Sequence, residues 1–133
     1  MDRLAKFESN FGPRETMDRL EAIIKAHGMS IFARINHAAL AQEAGLSLRP
    51  TEVIIFGNPR AGTPLMQANQ TVGIDLPLKA LVWEDHEGKV WLGYNEPQWL
   101  ARRHGIEGAE GITGKIDLAL RGIALQATKA TSQ

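Results

Sequence analysis

Leu76-Pro77-Leu78-Lys79-Ala80-Leu81-Val82-Trp83-Glu84-Asp85-His86-Glu87-Gly88-Lys89-Val90-Trp91-Leu92-Gly93-Tyr94 decides the fold class. It reads as two strands, Leu76 to Trp83 and Lys89 to Tyr94, joined through Glu84 to Gly88, with Gly88 allowing the positive φ that a tight hairpin often needs. The acidic run Glu84-Asp85-His86-Glu87 has the side chains of a metal site, but its spacing fits no EF-hand loop, and charges at a hairpin tip are ordinarily solvated, so no metal is assigned to it. Trp83 and Trp91 fall on opposite or adjoining faces according to the register, and tryptophan is enriched at interfaces as well as in cores.

Upstream, Val53-Ile54-Ile55-Phe56 is apolar at every position, the pattern of a strand covered on both faces, one by helices and the other by a partner subunit or a ligand cavity. It feeds Gly57-Asn58-Pro59-Arg60-Ala61-Gly62-Thr63-Pro64-Leu65-Met66, where two prolines fix φ and two glycines permit tight turning. Thr63-Pro64 reads as a helix start, with the Thr63 hydroxyl as cap and Pro64 in the first turn, and the helix runs from Leu65 to Gln70. Two readings of the loop stay open. Either outward-pointing helix N–H groups with Arg60 and Thr63 hold an anion, or Asn58 and Thr63 satisfy the loop's own backbone while Arg60 is solvated. The string matches neither the phosphate-loop nor the dinucleotide fingerprint.

The remaining chain supplies more of both element types. Leu4 to Glu8 alternates as a short strand, and Pro13 to Ala26 carries Met17, Leu20, Ile23 and Ile24 as a helical stripe ended by Gly28. Met29 to Ile35 alternates as a strand, with Met29, Ile31, Ala33 and Ile35 on one side and Ser30, Phe32 and Arg34 on the other. Asn36 caps a helix from His37 to Ala44, and a neutral His37 imidazole at that helix start is suited to bind a metal or accept a proton, though a lone histidine there with no sequence-near partner reads first as a half-exposed helix-start residue. Asn95 with Gln98 has capping-box spacing for a helix holding Trp99 and Leu100, with Arg102, Arg103 and His104 in its last turn. Ile106 to Thr113 reads as a glycine-rich loop. Ile112, Ile116, Leu120 and Ile123 then mark a C-terminal helix that frays from Thr128 to Gln133. About five strands and four or five helices, with a hairpin late in the chain, predict a single α+β domain over residues 1–133: a mainly antiparallel sheet packed against helices.

From the Gly-Asn-Pro loop to Tyr94-Asn95-Glu96-Pro97 the chain resembles the family named domain of unknown function 302. The Gly57-Asn58-Pro59 loop, the Gly62-Thr63-Pro64-Leu65-Met66 helix start, the Leu76-Pro77 strand and the Trp83-Glu84-Asp85 turn carry that resemblance. It covers about Lys6 to Ile106, leaving a C-terminal helical extension of about 112–127. It implies a one-domain α+β fold that self-associates, and no established reaction.

Composition narrows the functional classes. The 133 residues carry 15 basic and 15 acidic side chains, so no net field attracts nucleic acid or anionic lipid. There is no cysteine, which removes disulfides and thiolate chemistry together. No stretch approaches the ~20 apolar residues of a membrane span, and the start of the chain has no apolar signal core, so a cytoplasmic protein is expected. The first functional expectation is a homodimeric, non-enzymatic module binding a small anionic ligand at Asn58, Arg60 and Thr63, with Tyr94 and His37 as neighbours. The second is an enzyme using His37 or His104 as acid or base beside Glu84 or Asp85. The third is metal or haem bound through histidine and Met66. No cofactor is specified.

Overall fold

In the computed structural model, which describes residues 4–129, the chain runs β1 (Leu4–Glu8), α1 (Pro13–Ala26), β2 (Ser30–Asn36), α2 (His37–Glu43), β3 (Thr51–Gly57) and α3 (Pro59–Ala68). A 3-10 turn (Gln70–Ile74), β4 (Leu78–Glu84), β5 (Val90–Asn95), α4 (Pro97–Arg103) and α5 (Glu110–Thr128) follow. The five strands form one antiparallel sheet in the order β1-β5-β4-β3-β2, so β4 is central; α1 crosses from one edge strand, β1, to the other, β2, α2 and α3 join neighbouring strands, and α4 and α5 follow the last strand. The α+β expectation holds.

One face of the sheet is the core. Ile54 and Phe56 of β3 and Val82 and Leu92 of the hairpin meet Met17, Leu20 and Ile24 of α1, all essentially without solvent exposure. The apolar stripe at helical spacing in α1 has no other place to go, and burying each such side chain is worth ~1.5–3 kcal/mol. α5 lies against α1, α4 and β1, and buries Ile116, Leu120, Ile123, Ala124 and Ala127. It begins at Glu110, inside the stretch read as a loop, because Gly111 and Gly114 interrupt nothing once Thr113 and Ile116 are buried against the core. Thr128 was expected to fray. It is buried, and its hydroxyl donates to the Ala124 carbonyl; residues 130–133 of that expected frayed end lie outside the described ones.

Among the described residues no helix packs on the other face of the sheet, the side of β3 expected to meet a partner subunit or a ligand cavity. Val53, Ile55, Leu81, Trp83 and Trp91 are only half-buried there, and the register places Trp83 directly opposite Trp91. Gly93 lies on β5 two residues on from Trp91, between Leu81 of β4 and Lys6 of β1. A Cβ at Gly93 would come within 3.1 Å of both Leu4 Cδ2 and Trp83 Cζ3, so the absence of a side chain lets the Trp83 ring lie flat on the sheet.

In β2 the expected alternation breaks. A bulge between Ile31 and Ala33 puts Ile31 opposite Phe56 and Arg34 opposite Ile54 on the helix side, and leaves Ala33 and Ile35 on the open side. Arg34 then reaches Glu52 at 2.7 Å, Glu21 at 2.9 Å and Asp18 at 3.1 Å, tying the sheet edge to α1.

The acidic hairpin tip is structural. Asp85 Oδ1 accepts the Glu87 and Lys89 N–H groups, both at 2.9 Å, and Oδ2 accepts the Trp91 indole N–H at 2.9 Å. The Trp91 bond is the main cause that holds the Asp85 carboxyl below its ordinary 3.8. A carboxyl depressed on folding stabilises the fold above its unfolded pKa and loses that contribution as pH falls through the folded value. An acid titration followed by tryptophan emission is therefore expected to show a step below pH 3.8 that Asp85→Asn removes. An unchanged titration in the variant would detach Asp85 from the hairpin.

Candidate functional site

β3 delivers Gly57 into a turn in which Asn58 is extended and caps α3. Its Oδ1 accepts the Arg60 N–H at 3.0 Å, and its carbonyl accepts the Ala61 and Gly62 N–H groups at 2.9 and 3.1 Å. The helix thus starts at Pro59, not at Thr63-Pro64. Asn outranks Thr as a cap, and Pro59 at the first position lacks only an N–H that would have no partner. Pro64 falls inside the helix and costs one bond, leaving the carbonyl of exposed Arg60 without its helical partner. The N–H groups expected to point outward toward an anion are instead spent within the turn.

The far end of α3 is clamped. Asn69 Oδ1 accepts the Thr71 N–H and hydroxyl at 3.1 and 3.0 Å, while its Nδ2 donates to the His104 carbonyl at 2.6 Å. The His104 ring lies between Thr71 Oγ1, 2.9 Å from Nδ1, and the Asp75 carboxylate at Nε2; Arg103 Nη1 also donates to both Asp75 oxygens. The histidine expected beside Glu84 or Asp85 is therefore paired with Asp75, which lies 29 positions earlier and was reachable only through folding. Capping at Glu96 rather than Asn95 sets α4 so that His104 closes its C-terminal end. This network anchors the segment Leu76-Pro77, whose peptide bond is cis, beside α3.

Between these two fixed points a cavity of about 530 Å³ opens. Leu65 and Met66 of α3 face Leu76, Pro77 and Leu78, with Asn58, Ala61, Gly62 and Thr63 continuing the α3 side. Ile116, Ala119 and Leu120 of α5 form the opposite wall with Met29, and Phe32, pushed out by the β2 bulge and 56% exposed, stands at the mouth. Its ionisable lining groups are His27 and Lys115. The size lies within the ~300–1,000 Å³ of small-molecule sites, and so does the make-up: mainly apolar walls with a few polar groups. A second cleft, between α2 and the 46–52 segment, is lined by Arg34 and Glu52, which are already paired with each other.

Of the residues singled out from the sequence, Asn58 and Thr63 line the cavity, and Met66, the expected metal or haem ligand, does too. Arg60 and His37 are exposed and line neither space. Tyr94 is 2% exposed, stacks on Phe7 with ring centroids 5.9 Å apart, and likewise lines neither. Its hydroxyl has no hydrogen-bond partner among the described residues, and burial, then the Asp117 charge, pushes it up to about 12. Among the described residues no group of three or more His, Asp or Glu side chains is arranged to hold a metal ion. His27, Phe32, Lys115 and Ala119 were invisible as site residues because nothing in their local sequence marks them.

A family model described as "Domain of unknown function DUF302" matches residues 5–123. Proteins of Brucella suis and Brucella abortus named "Fluoride-specific ion channel FluC 1" are each 54% identical to this chain over 103 residues. That match covers 77% of this chain but only 41% and 38% of theirs, so the chain spans about two fifths of those relatives. The crystal structure of an uncharacterized conserved DUF302 protein from Bacillus stearothermophilus superposes with a TM-score of 0.85 at 23% identity, covering 96% of this chain and 99% of that one. At that identity the likeness establishes the fold.

Proposed function

This chain belongs to the family described as domain of unknown function DUF302, and from that premise we propose a non-catalytic binding module whose cavity between α3 and α5 takes a small, mainly apolar molecule. The observation that carries the reading is the cavity itself: about 530 Å³, walled by aliphatic side chains and held open between an Asn58 cap and the Asn69-His104-Asp75 clamp. Apolar surface left facing water in a cavity of this size is costly unless a ligand covers it. Ala119→Trp would fill the cavity from an exposed position. Binding of a fluorescent apolar probe such as 1-anilinonaphthalene-8-sulfonate is expected to fall at least tenfold in that variant, with the melting midpoint unchanged or raised. Equal probe binding by both chains would place the ligand elsewhere. Haem is the alternative occupant, since His27 and Met66 both line the cavity; a Soret band in purified protein would favour it.

We also propose that the module is a cytoplasmic homodimer, the second copy covering the open sheet face. Support comes from the half-buried row Val53, Ile55, Leu81, Trp83 and Trp91 on that face. Five strands of five to seven residues give a platform roughly 20 Å on a side, about 400 Å² in plan, so this face would supply about half of a standard interface of ~800 Å² per partner. The channel activity in the names of the Brucella proteins belongs to chains of which this one spans about two fifths, and no helix among the described residues is long and apolar enough to cross a membrane. For this chain the proposed role is therefore binding, not conduction.

A further inference from the structure

Resting on the cavity reading above, we propose that the ligand is an unbranched monocarboxylate, its hydrocarbon chain lying between α3 and α5 and its carboxylate meeting Lys115. Three observations converge. The lining includes two ionisable side chains, His27 and Lys115, both basic, and no Asp or Glu, so the field at the mouth favours an anion over a cation. Lys115 is exposed and, among the described residues, makes no hydrogen bond or ion pair that would occupy its ammonium group.

The walls are the third observation. Leu65, Leu76, Ile116 and Leu120 are aliphatic, and Met29 and Met66 are unbranched and adaptable, matching a flexible chain better than a planar ring. Few polar groups remain to read ring heteroatoms, because the Asn58 Oδ1 is already spent on the Arg60 N–H. A phosphate end is disfavoured on the same grounds. The α3 N–H groups of Arg60, Ala61 and Gly62, which would cradle it, all bond to Asn58, and a single lysine is a point charge without the fork that phosphate recognition commonly uses.

Calorimetric titration of the full chain with decanoate, 1-decanol, hexanoate and decyl phosphate tests this, beside the Lys115→Gln variant. Decanoate is expected to bind at least tenfold tighter than decanol. Hexanoate should bind roughly 250-fold more weakly than decanoate, since each of the four methylenes removed costs roughly fourfold. Lys115→Gln should bring decanoate down to the level of decanol and leave decanol unchanged. Equal binding of decanoate and decanol, or an indifferent Lys115→Gln, overturns the carboxylate assignment while the apolar cavity stands. Decyl phosphate binding tenfold tighter than decanoate overturns the choice of carboxylate over phosphate. Failure of both decanoate and decanol to bind overturns the cavity reading itself.

Discussion

Replacing Phe56 by Ala is expected to lower the melting midpoint by roughly 10–15 °C, the largest single loss of stability available in the sheet. Phe56 has no solvent exposure and is the bulkiest of the fully buried side chains. It lies on β3, between β2 and β4, on the helix side of the sheet. Truncating a buried phenylalanine removes its transfer free energy and leaves a void that a close-packed core cannot fill, together about 3–5 kcal/mol. For a domain of this size each kcal/mol moves the midpoint by about 3–4 °C. Ile55→Ala, one residue away on the open face, is the contrast; in a dilute monomer it should cost less than about a third as much. Calorimetry of both variants decides the matter, and a Phe56→Ala loss no larger than that of Ile55→Ala would place the core on the wrong side of β3.

The second large effect concerns assembly. Leu81 stands at the middle of β4, the central strand, with Val53 and Gly93 beside it on the neighbouring strands. A two-fold interface on this face places the same surface of both copies in contact, so Leu81→Glu introduces a charge into each half. Desolvating two like charges without partners costs several kcal/mol, enough to weaken association by about a thousandfold or more. Sedimentation at micromolar concentration is expected to show the natural chain as a dimer and the variant as a folded monomer near 14.6 kDa. A natural chain that sediments as a monomer ends the homodimer proposal, and a Leu81→Glu dimer moves it to another face.

Reading the site from sequence failed where two local rules competed. Asn58-Pro59 and Thr63-Pro64 are both valid helix starts, and the earlier one wins because Asn58 supplies its side chain and its carbonyl to three successive N–H groups. That choice moves Arg60 into a helix away from the cavity and turns Thr63 toward it. The β2 bulge has no sequence signature beyond an ordinary alternation, yet it sets Phe32 at the cavity mouth and Arg34 on the helix side. Lys115 lies outside every motif, on a helix whose start was read as loop.

Elements whose signal is periodic and local, namely the hairpin, the α1 stripe and the Asn36 cap, were fixed by the residues alone, since alternation and helical spacing admit one way of burying their apolar sides. The family resemblance rested on the same local strings. Tertiary packing alone decided which face of the sheet stays open, which carboxylate His104 meets, and that an apolar cavity forms beside Asn58. These depend on side chains far apart in the chain, such as Met29, Leu76 and Leu120, and no short stretch of sequence records how distant surfaces fit against one another.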